Sequence, residues 1–170
     1  MIQQFLEERN QPDYRLQQFN HHFYQQLVES FDEITTWSKD LRQQLKAEVP
    51  FSTLKKETEQ VSQSGDVVKT LFSLKRDSRW QIEAVLMRYQ DGRNSVCVSC
   101  MSGCPVGCSF CATGQMGLQT NLTTREIVDQ VLYFARMVKQ DDQKISNVVY
   151  MGMGEPMLNL KGVEGSLDVL

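Results

Sequence analysis

Between Asp13 and Val49 apolar residues return at helical spacing: Phe19, Phe23 and Leu27 lie four apart, and Leu41, Leu45 and Val49 repeat the period. Ser38 stands where an N-cap would open the second run, and Pro12 and Pro50 bracket the stretch, since proline disfavours helical backbone in the residue before it. The pattern predicts short helices packed together as a helical domain over residues 1–50. Glutamines such as Gln17, Gln18, Gln43 and Gln44 read as its polar surface. His21 and His22 read as surface or boundary residues, because the stretch offers no partners for a metal site.

The period then falls to two. Val67–Leu74 and Gln81–Met87 predict strands separated by the polar turn Lys75–Arg79, and Asp91-Gly92 signals another turn before a short strand at Ser95–Ser99. Residues 51–94 therefore read as a β-rich extension. From residue 95 to 170 the order is strand, cysteine loop, helix, strand. Thr123-Thr124-Arg125-Glu126 is a capping box. Ile127, Val128, Val131, Leu132, Ala135 and Val138 mark one face of a helix running to about Lys139, and Ile145–Met151 is a continuous apolar run of the kind found in buried parallel strands. The result is a β-loop-α-β unit and an α/β fold. Ligands of such units bind beyond the carboxyl ends of the strands. The cysteine loop after Ser99 and the loop Gly152-Met153-Gly154-Glu155-Pro156 are expected to converge there.

Composition narrows the function classes. The 170 residues are 41% hydrophobic and 23% charged, within the globular range, and no apolar run reaches membrane-spanning length. The amino terminus lacks a secretory pattern, so a cytoplasmic protein is expected. A net charge of −3 does not announce a nucleic-acid partner. Between positions 67 and 93, Lys69, Lys75, Arg76, Arg79, Arg88 and Arg93 outnumber Asp77, Glu83 and Asp91, which reads as a solvated sheet face rather than a phosphate-binding stripe.

All 5 cysteines fall between positions 97 and 111. In a reducing compartment such clustering points to metal or redox chemistry rather than structural disulfides. Cys104, Cys108 and Cys111 have the spacing C-x3-C-x2-C, which suits either zinc or an iron–sulfur cluster. A zinc site would combine, for instance, Cys97 and Cys100 with Cys108 and Cys111. Against it, the two pairs are very close for a zinc ribbon, and strand alternation should turn Cys97 and Cys100 to opposite faces.

The triplet resembles that of radical S-adenosylmethionine enzymes, and the chain as a whole resembles the RlmN/Cfr family of adenosine methyltransferases. The resemblance is carried by Ile82–Met87, Cys97–Ser99, Gly103–Gly114, Asn121–Thr123 and Val148–Asn159, and more weakly by Tyr14–Phe19 and Ser30–Thr35. It implies an RNA-binding type of helical domain, followed by the first βα units of a partial (β/α)6 barrel. It further implies that Cys104, Cys108 and Cys111 hold a 4Fe-4S cluster whose fourth iron is open to S-adenosyl-L-methionine. Gly154 and Glu155 would bind the amino end of that cofactor, and Phe110 would lie against its adenine ring, with core packing as the alternative role. Glu83 would be a proton acceptor, and Cys97 the thiol that releases the RNA adduct through a transient disulfide bond. The implied reaction is methylation of carbon 2 of adenosine in large-subunit ribosomal RNA and in transfer RNA, by a monomer supplied with electrons by a donor such as flavodoxin.

Two departures qualify this. No cysteine follows Cys111, where the family carries a methyl-accepting cysteine near its carboxyl terminus, so an inactive amino-terminal fragment with an incomplete barrel is expected. Cys100 stands where the family pattern has serine, and reads as an inert buried thiol. The alternative function is a metal- or Fe–S-binding module without methyltransferase activity.

Overall fold

A computed structural model describes residues 2–170. The chain forms two compact units, residues 1–52 and 53–170.

The first unit contains α1 (Ile2–Glu7), α2 (Tyr14–Asn20) and α3 (Lys39–Glu48). Phe19 stacks on Phe23 at 5.0 Å between ring centroids and meets Phe31 and Trp37 at tilted angles, so one aromatic cluster forms the core. Its burial, at roughly 25 cal/mol per Å² of apolar surface, is what holds helices this short, since each is below the length at which an isolated helix is stable. Ser38 caps α3 as expected, its Oγ accepting the Leu41 N–H at 3.2 Å. Replacing it with alanine orphans that donor, and Ser38→Ala is expected to lower the unfolding free energy by about 1 kcal/mol, readable by urea denaturation.

The first unit departs from its sequence pattern in three places. α1 is an added helix, which buries Ile2, Phe5 and Leu6. α2 runs into a π-helical turn, His21–Gln25, closed by the Gln26 N–H on the His21 carbonyl at 2.9 Å. The wider turn delays the apolar face by a position, so Val28 enters the core, whereas Leu27 is only half-buried with a φ of 53°. His22, expected at the surface or boundary, is buried, three residues after Phe19 on the same helix face, and its Nε2 lies 3.1 Å from the Thr36 hydroxyl.

In the second unit a five-stranded sheet has the order β1 (Leu54–Val61), β2 (Val67–Leu74), β3 (Asp77–Arg88), β4 (Asn94–Cys97) and β7 (Asn147–Val149). The sheet runs unbroken across positions 94 and 95. β1 was not legible, because Lys55-Lys56-Glu57-Thr58-Glu59-Gln60 has no apolar alternation; such a charged strand suits a sheet edge. The expected turn at Lys75–Arg79 is narrower, since Asp77 already pairs with Leu74. β7 pairs parallel to β4, as expected, but spans only Asn147–Val149 and is half-exposed rather than buried, because it is the other edge of the sheet.

α5 (Thr124–Lys139) opens with the expected capping box: Thr123 Oγ1 accepts the Glu126 N–H at 3.3 Å, and Glu126 Oε2 accepts the Thr123 N–H at 2.8 Å. Its apolar face, including Ile127, Val131 and Phe134, shares one core with Phe72, Leu86 and Val96 of the sheet. A ribbon of β5 (Met101–Gly103) and β6 (Leu118–Asn121), the short α4 (Ala112–Gln115) and the closing α6 (Leu160–Leu167) complete the unit. Among the described residues no helix is long and apolar enough to cross a membrane.

Candidate cluster and cofactor site

Helix α5 covers one face of the sheet, and the other face carries the candidate chemistry. Directly paired residues share a face, as do residues two apart on a strand. Lys69 pairs with Val85, Val85 with Cys97 and Cys97 with Val149, so these four lie in one row across four strands. Glu83 sits beside that row, diagonal to Cys97, at a separation of roughly 7–8 Å for such neighbours. Its carboxylate meets Lys69 Nζ at 3.2 Å, with both side chains partly exposed. The thiol of Cys97 is half-buried; burial pushes its pKa up, against a smaller opposing effect of the Met151 backbone amide. The basic stretch behaves as a solvated face: Arg79 pairs with Asp77, Arg93 with Asp91 and Arg88 with Asp141.

Beyond Cys97 the chain leaves the sheet, and the second loop is laced to it. Val98 N–H donates to the Val149 carbonyl at 2.9 Å, and Gly152 N–H to the Val98 carbonyl at 3.1 Å. The Met153 carbonyl accepts from Cys100 N–H at 2.9 Å and from Met101 N–H at 3.1 Å. The expected convergence of the cysteine loop and the Gly152–Pro156 loop is therefore present. Gly154 has a φ of +102°, and a Cβ there would lie 2.6 Å from Met101 Cβ, so only glycine permits this approach. Glu155 caps the turn that follows, its Oε1 accepting the Met157 N–H at 3.1 Å.

The cysteine triplet occupies the turns between β5 and α4. Cys104 is buried and donates its N–H to the Gly117 carbonyl at 3.1 Å, while Cys108 and Cys111 are partly exposed and joined by the Cys111 N–H on the Cys108 carbonyl, 3.1 Å. Gly114 packs so closely that a Cβ would sit 3.0 Å from the Cys108 nitrogen. The Gly114 amide, and then Thr113, hold the Cys111 thiol below its usual range. Phe110 is 90% exposed and lies outside the apolar core of this unit.

Residues 1–50 match the family described as the ribosomal RNA large subunit methyltransferase N-terminal domain, and residues 98–167 match the radical SAM superfamily. Over 169 residues, 99% of the chain, it is 40% identical to the probable dual-specificity RNA methyltransferase RlmN of Bacillus pumilus and 41% identical to that of Staphylococcus aureus. It is also 40% identical over 169 residues to the ribosomal RNA large subunit methyltransferase Cfr of Bacillus velezensis. These alignments cover 46%, 45% and 46% of the relatives. The crystal structure of a radical SAM methyltransferase from Sphaerobacter thermophilus superposes with a TM-score of 0.92 at 41% identity, over 99% of this chain and 49% of that one. The chain is similar to the RlmN/Cfr family along nearly its whole length. It spans about half the length of the curated relatives it matches.

The donor set bears on which group could be held. All 5 cysteines are free thiols, so the structure contains no disulfide bond at Cys97 and lends none its support. Cys97 lies on the open sheet face, whereas Cys100 is buried in the apolar core at 2% exposure; the two are turned apart, as alternation predicted, and do not make half of a zinc shell. Among the described residues no group of three or more His, Cys, Asp or Glu side chains is gathered as a single metal ion requires. Three thiols strung along one loop, two of them accessible, fit instead the ligation of an iron–sulfur cluster, which is bound by thiolates through separate irons.

Sequence reasoning missed the polar residues that hold these loops. Gln130 is fully buried within the apolar stripe of α5 and hydrogen-bonds Ser99, and Asn159 Nδ2 donates to the carbonyls of Cys100 and Leu122, each at 2.8 Å. A glutamine between Ile127 and Phe134 on a buried helix face was the available signal. Burial also pushes the Cys100 thiol up to about 11. The thiolate is the reactive form. Iodoacetamide at pH 8 is therefore expected to alkylate Cys111 of the metal-free protein well before Cys100, as peptide mass spectrometry would record; equal labelling would contradict the burial.

Proposed function

We propose that the chain carries the cluster-binding and S-adenosyl-L-methionine-binding part of a radical RNA methyltransferase acting on carbon 2 of adenosine in large-subunit ribosomal RNA and in transfer RNA. The observation that carries this reading is the opening of one sheet face, bearing Glu83 and Cys97, beside the laced cysteine and Gly-Glu-Pro loops. The named relatives are RNA methyltransferases, which supports the same substrate class.

In this reading Cys104, Cys108 and Cys111 hold a 4Fe-4S cluster. When bound, the cluster would supply one-electron reduction of the sulfonium cofactor, the radical chemistry needed at an adenine carbon that carries no acidic proton in the free base. The chain's own residues bind and orient. The Glu155 carboxylate accepts hydrogen bonds from the cofactor's ammonium group, and Gly154, lacking a side chain, lets the loop that carries Glu155 pack against Met101. Phe110, exposed within the triplet, offers a ring face to the adenine. Glu83, oriented by Lys69, would take the proton from carbon 2 of the substrate base only after the new carbon–carbon bond has formed there, and the Cys97 thiol would act in product release. A one-electron donor such as flavodoxin and the reducing cytoplasm complete the requirements.

Anaerobic reconstitution with iron and sulfide tests the reading. The expected product is a brown protein whose reduced-cluster electron paramagnetic resonance spectrum changes when S-adenosyl-L-methionine is added. A colourless zinc protein, or a cluster blind to the cofactor, overturns it. Disruption of the gene should remove 2-methyladenosine from cellular ribosomal RNA, and its persistence would reject the substrate assignment.

A further inference from the structure

Three pieces of the site come from distant parts of the sequence: the Glu83 strand, the segment leading to the cysteine triplet, and the Gly152–Pro156 loop. One buried residue touches all of them. Ser99 is 0% exposed, and its hydroxyl donates to the Glu83 carbonyl at 2.6 Å while accepting the Met153 N–H at 2.8 Å. A serine hydroxyl has one proton to donate and can accept at the same time, so this bridge employs both functions.

The backbone of Ser99 has a separate problem. β4 ends at Cys97, so the Ser99 N–H and C=O have left the sheet ladder while still inside the core, where an unpaired donor or acceptor costs roughly 1–3 kcal/mol. Gln130, also 0% exposed, resolves it: Oε1 accepts the Ser99 N–H at 2.9 Å and Nε2 donates to the Ser99 carbonyl at 2.9 Å. The side-chain amide thereby stands in for one residue of a neighbouring strand. Nε2 donates also to the Glu126 carbonyl at 3.2 Å, tying the pair to the first turns of α5.

We propose that Ser99 and Gln130 form a buried positioning pair that keeps the cofactor-binding loop in register with the cysteine loop and with the Glu83 strand. The inference rests on the assignment of S-adenosyl-L-methionine to the Gly154–Glu155 loop. The side chains of Ser99 and Gln130 make no hydrogen bond to Gly154, Glu155 or a thiol of the triplet. Met153 lies one residue from Gly154, so losing its hydrogen bond to Ser99 frees the loop at the position where the cofactor's amino end is bound. The pair therefore acts on cofactor affinity and leaves the triplet, which follows β5 in the chain, able to load iron.

A nearby residue provides a matched control. Ser102 is also 0% exposed, and its hydroxyl contacts the Gln81 carbonyl and Gln119 Oε1, each at 2.8 Å, with no bond to the Gly152–Pro156 loop. Ser99→Ala and Ser102→Ala thus each remove one buried hydroxyl with two partners. In the reconstituted 170-residue chain, both variants are expected to contain the iron and sulfide of the unaltered protein. Ser99→Ala is expected to bind S-adenosyl-L-methionine at least tenfold more weakly, by equilibrium binding and by the cofactor-induced change in the cluster's paramagnetic spectrum, whereas Ser102→Ala stays within about threefold. If both variants lose affinity equally, or neither does, the pair is merely structural and the proposal fails. Should Ser99→Ala not fold, Gln130→Glu carries the test, because it keeps the acceptor for the Ser99 N–H and removes the donor to its carbonyl; the same tenfold loss is expected, and unaltered affinity overturns the proposal. Failure of the unaltered protein to load a cluster or to respond to S-adenosyl-L-methionine would instead reject the functional reading beneath it.

Discussion

Replacing Cys108 with alanine is expected to leave the second unit folded and unable to retain a four-iron cluster. Cys108 is partly exposed and contributes little to the apolar core, and the loop around it is held by backbone bonds that alanine preserves, including the Cys111 N–H on the residue-108 carbonyl at 3.1 Å. What is lost is one of three thiolates. Altering residues that merely support a metal ligand typically costs 10–100-fold in affinity, so removal of the ligand itself should cost on the order of 100-fold or more. Iron and sulfide analysis after anaerobic reconstitution, together with the visible absorption, measures this. Cys100→Ala provides the contrast: its thiol is buried in the core and held up to about 11, so the cluster should assemble normally. A normal cluster in Cys108→Ala would remove the triplet assignment.

Gly154→Ala is expected to abolish useful binding of S-adenosyl-L-methionine while the cluster still loads. The φ of +102° is costly for any residue with a Cβ, on the order of 1–3 kcal/mol. The added methyl would also stand 2.6 Å from Met101 Cβ and 2.9 Å from its backbone nitrogen, contacts too short to be relieved by a side-chain rotation alone. The loop must withdraw, and with it the Met153 carbonyl that accepts from Cys100 and Met101. A hundredfold weaker affinity, about 2.7 kcal/mol, is expected by equilibrium binding. Affinity within threefold of the unaltered protein would show that the close approach at Gly154 does not shape the cofactor site.

Several elements were legible from local pattern because their causes are local. The capping box at Thr123–Glu126, the cap at Ser38 and the apolar stripe of α5 each depend on residues within one or two turns, and each appears in the structure where its signal stood. The elements that went unseen have causes elsewhere in the chain. β1 is polar because it is an edge, held by its pairing with β2, and β3 extends back to Asp77 because Leu74 is there to pair with it. Val28 replaces Leu27 in the core because a π-helical turn shifts the phase of the helix.

The candidate site divides in the same way. Cysteine spacing and the Gly-Glu-Pro motif are contiguous, so the sequence by itself determined which residues are candidates for cluster and cofactor binding, and to which family the chain is similar. Only the tertiary structure decided that Glu83 and Cys97 share one open sheet face, that Phe110 faces solvent, and that Ser99 and Gln130 join strands and loops more than thirty residues apart in the chain. The reason is physical: spacing fixes what a short segment is able to ligate, whereas strand register and the satisfaction of buried backbone groups emerge only when remote segments compete for the same hydrogen bonds.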